Sequence, residues 1–377
     1  MASERQDADE LATPFWVMAL ALILAILVAK WIAYTAVNFQ DFALGDQTSD
    51  VFGSYDGDKI FCGSIAEVHE CLDPARKRNL RKRVVWLGNS QLHAINQAKP
   101  GDKTAPTMLA EALRPQGIEV LGYSMPNASL TELMVADTYL ESEHHIDLLI
   151  IPMFLDDTRE QHVREVLRPA VERPDRLAEL QSLASGRYAI ATLAKAATAD
   201  APAETTNLSL QQKSENAITG LLETCCGVQT MREQAHGQIE VQAFFFRNWA
   251  FNITAQTVRP IIPVTYQQNM TALEDIFRLA QRRSTRVIAY IPPLRQDVRA
   301  PYDMQQYRSF KAQTQALCKR YGVHWVDFDQ LVPGQYWGTK AATRTGGKAE
   351  LDFMHYQEPG HIRLAEAMQP MVEATLK

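Results

Sequence analysis

The chain has 377 residues, 46% of them hydrophobic, enough to bury one large core or a core with an elaborate insertion, which excludes wholesale disorder. A net charge of −6 at pH 7 gives no support to a nucleic-acid binder. The one dense basic run, Arg76-Lys77-Arg78 through Arg81-Lys82-Arg83, lacks interleaved aromatics and reads as a solvated helix.

In chain order, a short acidic tail (1–14) precedes an apolar stretch from Phe15 to Val37 interrupted only by Lys30. A helix over these positions would be roughly 34 Å long, enough to cross a bilayer, with Lys30 able to snorkel and Trp16, Trp31 and Tyr34 suited to the interfaces. It reads as one transmembrane anchor. A cleaved signal peptide competes, but the tail before it is acidic and no small-x-small cleavage site follows. The few flanking positive charges leave orientation open. Five cysteines, an odd count, show no metal-ligand spacing. Cys62 and Cys71 suit a disulfide in an oxidising compartment or buried free thiols equally well. His144 and His145, adjacent at a strand start, point to opposite faces, so no metal site is assigned.

Residues 38–80, rich in Gly, Asp and Ser, read as a tether or cap with a short helix near Ala66. From 81 onward the pattern alternates: strands at Val84–Leu87, Ile118–Gly122 and Asp147–Phe154, with helices at Met108–Leu113 and Leu130–Glu141 between them. It resumes with a helix at Ala272–Arg282, a strand at Arg286–Ile291, a helix at Gln305–Tyr321, a strand at His324–Phe328 and a helix at Gly360–Thr375. Such alternation predicts a parallel sheet with crossover helices, and the unbroken apolar run Leu148–Ile151 predicts a strand covered on both faces. Residues 160–265 break the rhythm. They read as a largely helical insertion over the sheet's edge or carboxyl end, with helices at Arg164–Ser185 and Ser214–Glu223 and a flexible link at Ala197–Thr206.

Two segments carry chemistry. Val85-Trp86-Leu87-Gly88-Asn89-Ser90 is a strand ending in a tight turn, which places Ser90 at the carboxyl end of the sheet, where open α/β folds hold their ligands. Asp352-Phe353-Met354-His355, in the loop predicted before the last helix, supplies an imidazole and a carboxylate, so that Ser90 would be the nucleophile, His355 its base and Asp352 the orienter. Each segment has a plainer reading, an ordinary helix N-cap and a loop histidine held by an aspartate. Their order in an α/β pattern favours catalysis.

These residues resemble the SGNH (GDSL-like) hydrolase superfamily: Gly88-Asn89-Ser90 is similar to its Gly-Asp-Ser block, and Asp352-x-x-His355 with Gly360 to its last block. The resemblance implies a three-layer α/β/α fold, no cofactor, and oxyanion contacts from two middle blocks. Asn127 stands where the family has its oxyanion glycine. Asp156 stands where it has an asparagine, and an ionised carboxylate there would repel an oxyanion, so Asp156 must be protonated, compensated by Arg159, or replaced by another donor. With the anchor, the chain is similar to membrane-bound members that serve surface-polysaccharide O-acylation, the alginate O-acetylation and D-alanyl-transfer proteins. That likeness implies a single-pass cell-membrane protein with its catalytic domain outside the cytoplasm, a membrane-bound O-acyltransferase partner, and a serine-dependent acyltransferase or esterase acting on a polysaccharide. A lipid or small-ester hydrolase and a catalytically silent scaffold are the alternatives.

Overall fold

In a computed structural model of the chain, the described residues are 24, 47–68, 70–71, 80–200, 245–343 and 347–377. Nearly all belong to one compact unit, 44–203 with 248–377; residues 1–43 and 204–247 group separately. The apolar stretch 15–37, except Leu24, and the helix expected at Ser214–Glu223 lie outside the described residues. Among the described residues no helix is long and apolar enough to cross a membrane.

Strands β1 (Thr48–Asp50), β2 (Ser54–Tyr55), β3 (Asp58–Lys59) and β4 (Phe61–Cys62) come first, then β5 (Lys82–Gly88), helix α1 (Ser90–His93) and β6 (Ala94–Asn96). Helix α2 (Ala105–Leu113), β7 (Ile118–Ser124), α3 (Leu130–Glu143) and β8 (Leu148–Pro152) continue the alternation. The insertion contributes α4 (Arg168–Glu172), α5 (Pro174–Ser182) and α6 (Ala184–Asp200). The chain closes with α7 (Pro263–Arg283), β9 (Arg286–Ile291), α8 (Met304–Tyr321), β10 (His324–Asp327), β11 (Trp337–Lys340), β12 (Glu350–Tyr356) and α9 (Glu358–Leu376).

Six strands form one parallel sheet in the order β10-β9-β8-β5-β7-β4. The apolar runs that signalled its centre are buried on both faces. Val85, Leu87, Leu149 and Ile151 pack toward α3 and α7 in one core, while Val84, Trp86, Leu148 and Ile150 pack toward α2 and α9 in the other. Alternation along each strand divides the side chains between the two cores, giving an α/β/α sandwich. From β5 the chain moves to β7 on one side and then crosses to β8 on the other. The carboxyl ends of β5 and β8 therefore frame a topological switch point.

Several sequence expectations are corrected. The segment read as an irregular tether or cap supplies β1 and the hairpin β2–β3, and its Phe61–Cys62 joins the sheet edge through β7. Lys82 and Arg83, read as the end of a solvated helix, begin β5, where Lys82 Nζ and the Arg83 N–H hold Asp147 at 3.0 and 2.8 Å. Helices α4 to α6 lie against α3 and α7 rather than over the sheet's edge, and α6 continues through Ala197 to Asp200 where a flexible link was expected. The later part of the insertion does reach the carboxyl end: the Arg259 N–H donates to the Pro301 carbonyl at 2.9 Å. Cys62 and Cys71 form a disulfide.

Candidate active site

Ser90 opens α1 directly after β5. A side chain at Gly88 would put its Cβ 3.0 Å from Leu92 Cδ2, so the tight strand-to-helix turn favours glycine there. Asn89 caps the helix, its Oδ1 accepting from the Gln91 N–H at 3.0 Å, while its Nδ2 donates to Asp157 Oδ1 at 2.8 Å. The N-cap reading and the site reading of this turn thus hold together: the cap fixes the backbone on which Ser90 is presented.

Asp352 and His355 stand on β12, not in the loop expected before the last helix, and β12 pairs with β11 outside the main sheet. The structure brings Ser90, His355 and Asp352 into one hydrogen-bonded chain, with His355 Nε2 2.9 Å from Ser90 Oγ and His355 Nδ1 3.1 Å from Asp352 Oδ2. An ionised carboxylate only accepts, so Nδ1 carries the imidazole proton and Nε2 is left to accept from the serine hydroxyl. All three residues are buried.

Burial works against ionisation of Asp352, but the charge and hydrogen bond of His355, with the N–H groups of His355 and Met354, outweigh it and hold the carboxyl well below the usual carboxylate range. Those N–H groups reach Oδ1 at 3.0 and 2.8 Å. On the other oxygen, Asn96 Nδ2 donates at 3.1 Å and also reaches Thr339 O and Thr48 Oγ1. Gln91 Nε2 donates to the Met354 carbonyl at 2.8 Å, and buried Arg295 donates to the carbonyls of Gly338 and Asp352. Residues of α1, β6 and the segment after β9 therefore hold β12 in place.

Asn127 lies exposed in the turn after β7 with φ of 50°, the left-handed region that favours glycine. Asp156, just beyond β8, accepts from Arg259 Nη1 at 2.5 Å and from Tyr302 Oη at 2.8 Å. The ion pair of Asp156 is thus with Arg259, whereas Arg159 Nη1 donates to the Pro260 carbonyl. Next to it, Asp157 is fully buried, and burial pushes its carboxyl well above the ordinary range. The sequence reading assigns no role to Asn96, Gln91, Arg295 or Arg259.

Fold and site together define a parallel α/β domain with a Ser-His-Asp chain at its switch point. No family model matches the sequence, and no curated protein matches it. Among solved structures the chain is similar to a putative acylhydrolase from Bacteroides fragilis, at 12% identity, 80% of this chain, 94% of that chain and a TM-score of 0.36. It is similar to a GDSL-like lipase from Bacteroides thetaiotaomicron at 11%, 82%, 98% and 0.37, and to an acetylxylan esterase from Geobacillus stearothermophilus at 9%, 77%, 94% and 0.36. Likenesses this distant say nothing about individual residues, and the chemistry below rests on the chain's own geometry.

Proposed function

We propose that the chain is a serine-dependent, SGNH-like acyltransferase or esterase, membrane-anchored through residues 15–37, acting on O-acyl groups of a surface or exported polysaccharide. The observation that carries the chemistry is the Ser90–His355–Asp352 chain at 2.9 and 3.1 Å. In this reading Ser90 Oγ attacks the ester carbonyl while His355 Nε2 takes its proton, and Asp352 stabilises the imidazolium. The proton passes to the departing alkoxide, leaving an acyl-serine. A glycan hydroxyl or water then attacks, loses its proton to His355, and releases Ser90.

The Cys62–Cys71 disulfide supports a catalytic domain outside the cytoplasm, because such bonds persist in oxidising compartments. A partner that delivers the acyl group across the membrane is part of the proposal. The test is turnover of p-nitrophenyl acetate by the purified chain and by Ser90→Ala, followed by mass spectrometry of an added glycan. Ser90-dependent turnover with acetyl found on the glycan supports transfer, Ser90-dependent release to water alone supports the esterase, and turnover independent of Ser90 sinks both.

A further inference from the structure

Arg259 lies in the stretch between α6 and α7 and is fixed at the site's edge by several contacts. Its N–H donates to the Pro301 carbonyl at 2.9 Å, its guanidinium lies 5.7 Å from the centre of the Tyr302 ring, and its Nη1 donates to Asp156 Oδ2 at 2.5 Å. Tyr302 Oη reaches the same carboxylate oxygen at 2.8 Å. The surrounding segment is tied down too, through the Ala255 N–H to Glu350 Oε2 at 2.5 Å and the Ile261 N–H to Gln306 Oε1 at 2.8 Å.

Asp156 directly precedes Asp157, which accepts from the Asn89 cap of the Ser90 helix, and both follow β8, the sheet neighbour of β5. A carboxylate therefore stands at the edge where acyl transfer would build negative charge on the carbonyl oxygen. Left bare in a partly buried setting, it would oppose that charge and lower the rate. Arg259 and Tyr302 both engage the Oδ2 atom, which neutralises the carboxylate and fixes its rotamer.

We propose that Arg259 is a positioning residue that neutralises and restrains Asp156, so that the insertion completes the Ser90 site. This rests on the serine-enzyme reading above. The experiment uses the full chain and compares wild type, Arg259→Met, Arg259→Lys, Asp156→Asn and the double variant Asp156→Asn with Arg259→Met, for p-nitrophenyl acetate kinetics and thermal unfolding. Arg259→Met is expected to lose about 10²-fold in kcat with little change in KM, the scale of losing one transition-state contact. Arg259→Lys should keep most of the rate, and the double variant should recover to near the Asp156→Asn level, because without the carboxylate the cation has nothing to offset. A purely structural Arg259 would leave the double variant as slow as Arg259→Met; that result, or an unchanged kcat in Arg259→Met, overturns the proposal. If Arg259→Met does not fold, Arg259→Lys decides: a folded, inactive lysine variant also overturns it. Wild type that turns over no ester overturns the serine-enzyme reading and this proposal together, whereas active wild type with full-rate Arg259→Met overturns this proposal alone.

Discussion

Asn96 and Asp352 meet across 256 positions of sequence, the amide Nδ2 donating to the carboxylate Oδ2 at 3.1 Å. The short α1 turns the chain back past Ser90 into β6, so the residue that ends β6 braces the acid of the site. Gly338 on β11 closes that arrangement from behind: a Cβ there would sit 1.6 Å from Asn96 Oδ1.

Gly338→Ala must therefore push the Asn96 amide away from Asp352. Overpacking of this kind costs about 1–3 kcal/mol. Chemical denaturation should show that loss, and ester turnover should fall by more than the small unfolded fraction explains. A Gly338→Ala protein with unaltered stability and turnover would contradict the packing described.

Asp352→Asn would present an amide N–H₂ to His355 Nδ1 or reverse the ring's tautomer, leaving Nε2 unable to accept from Ser90. The expected loss in kcat is about 10³–10⁴-fold, with the fold retained. Steady-state kinetics at pH 7 checks it, and a loss below tenfold would mean that Asp352 does not set the tautomer.

The pH dependence of stability has a defined sign. His361 is fully buried, accepting on Nδ1 from the Ala105 N–H and donating from Nε2 to the Ala94 carbonyl, both at 3.3 Å. Burial pushes its pKa down to about 3. Between that value and about 6.5 the unfolded chain binds a proton that the folded chain refuses, so stability rises with pH across the window, by up to about 1.4 kcal/mol per pH unit. Asp352, with its folded pKa lowered, adds stability that is whole above about pH 4 and is lost as pH falls below it. Urea midpoints measured from pH 7 down to pH 4 should fall, and His361→Gln should be less stable at pH 7 with a shallower slope. An unchanged slope would rule out His361 as the source.

Reduction of Cys62–Cys71 releases a short loop, nine positions in separation, that starts at the last residue of the edge strand β4. Loop closure of this length is worth roughly 2–3 kcal/mol. Unfolding with and without reductant reads it directly; equal midpoints would show that the bond does not stabilise the fold.

The central sheet was legible because Val84–Leu87 and Leu148–Ile151 are buried on both faces and so need no polar alternation. The meeting of Ser90, His355 and Asp352 was legible because a strand-end serine and an Asp-x-x-His pair leave local signatures. Strands β4 and β6 were not, since two or three residues carry no period, and β12 leaves no sheet signature because, among the described residues, it pairs with β11 away from the main sheet. Arg259 left no signal: its bond to Asp156 spans 103 positions and comes from an insertion without repeating pattern. What local chemistry writes into the sequence could be read, and what long-range docking creates could not.

The most direct measurement is labelling of the purified chain by a fluorophosphonate serine probe, comparing wild type with Ser90→Ala and His355→Ala. An activated Ser90 gives labelling in wild type and none in either folded variant. Labelling that survives Ser90→Ala, or folded wild type that takes no label, would contradict the assignment of Ser90 as the nucleophile.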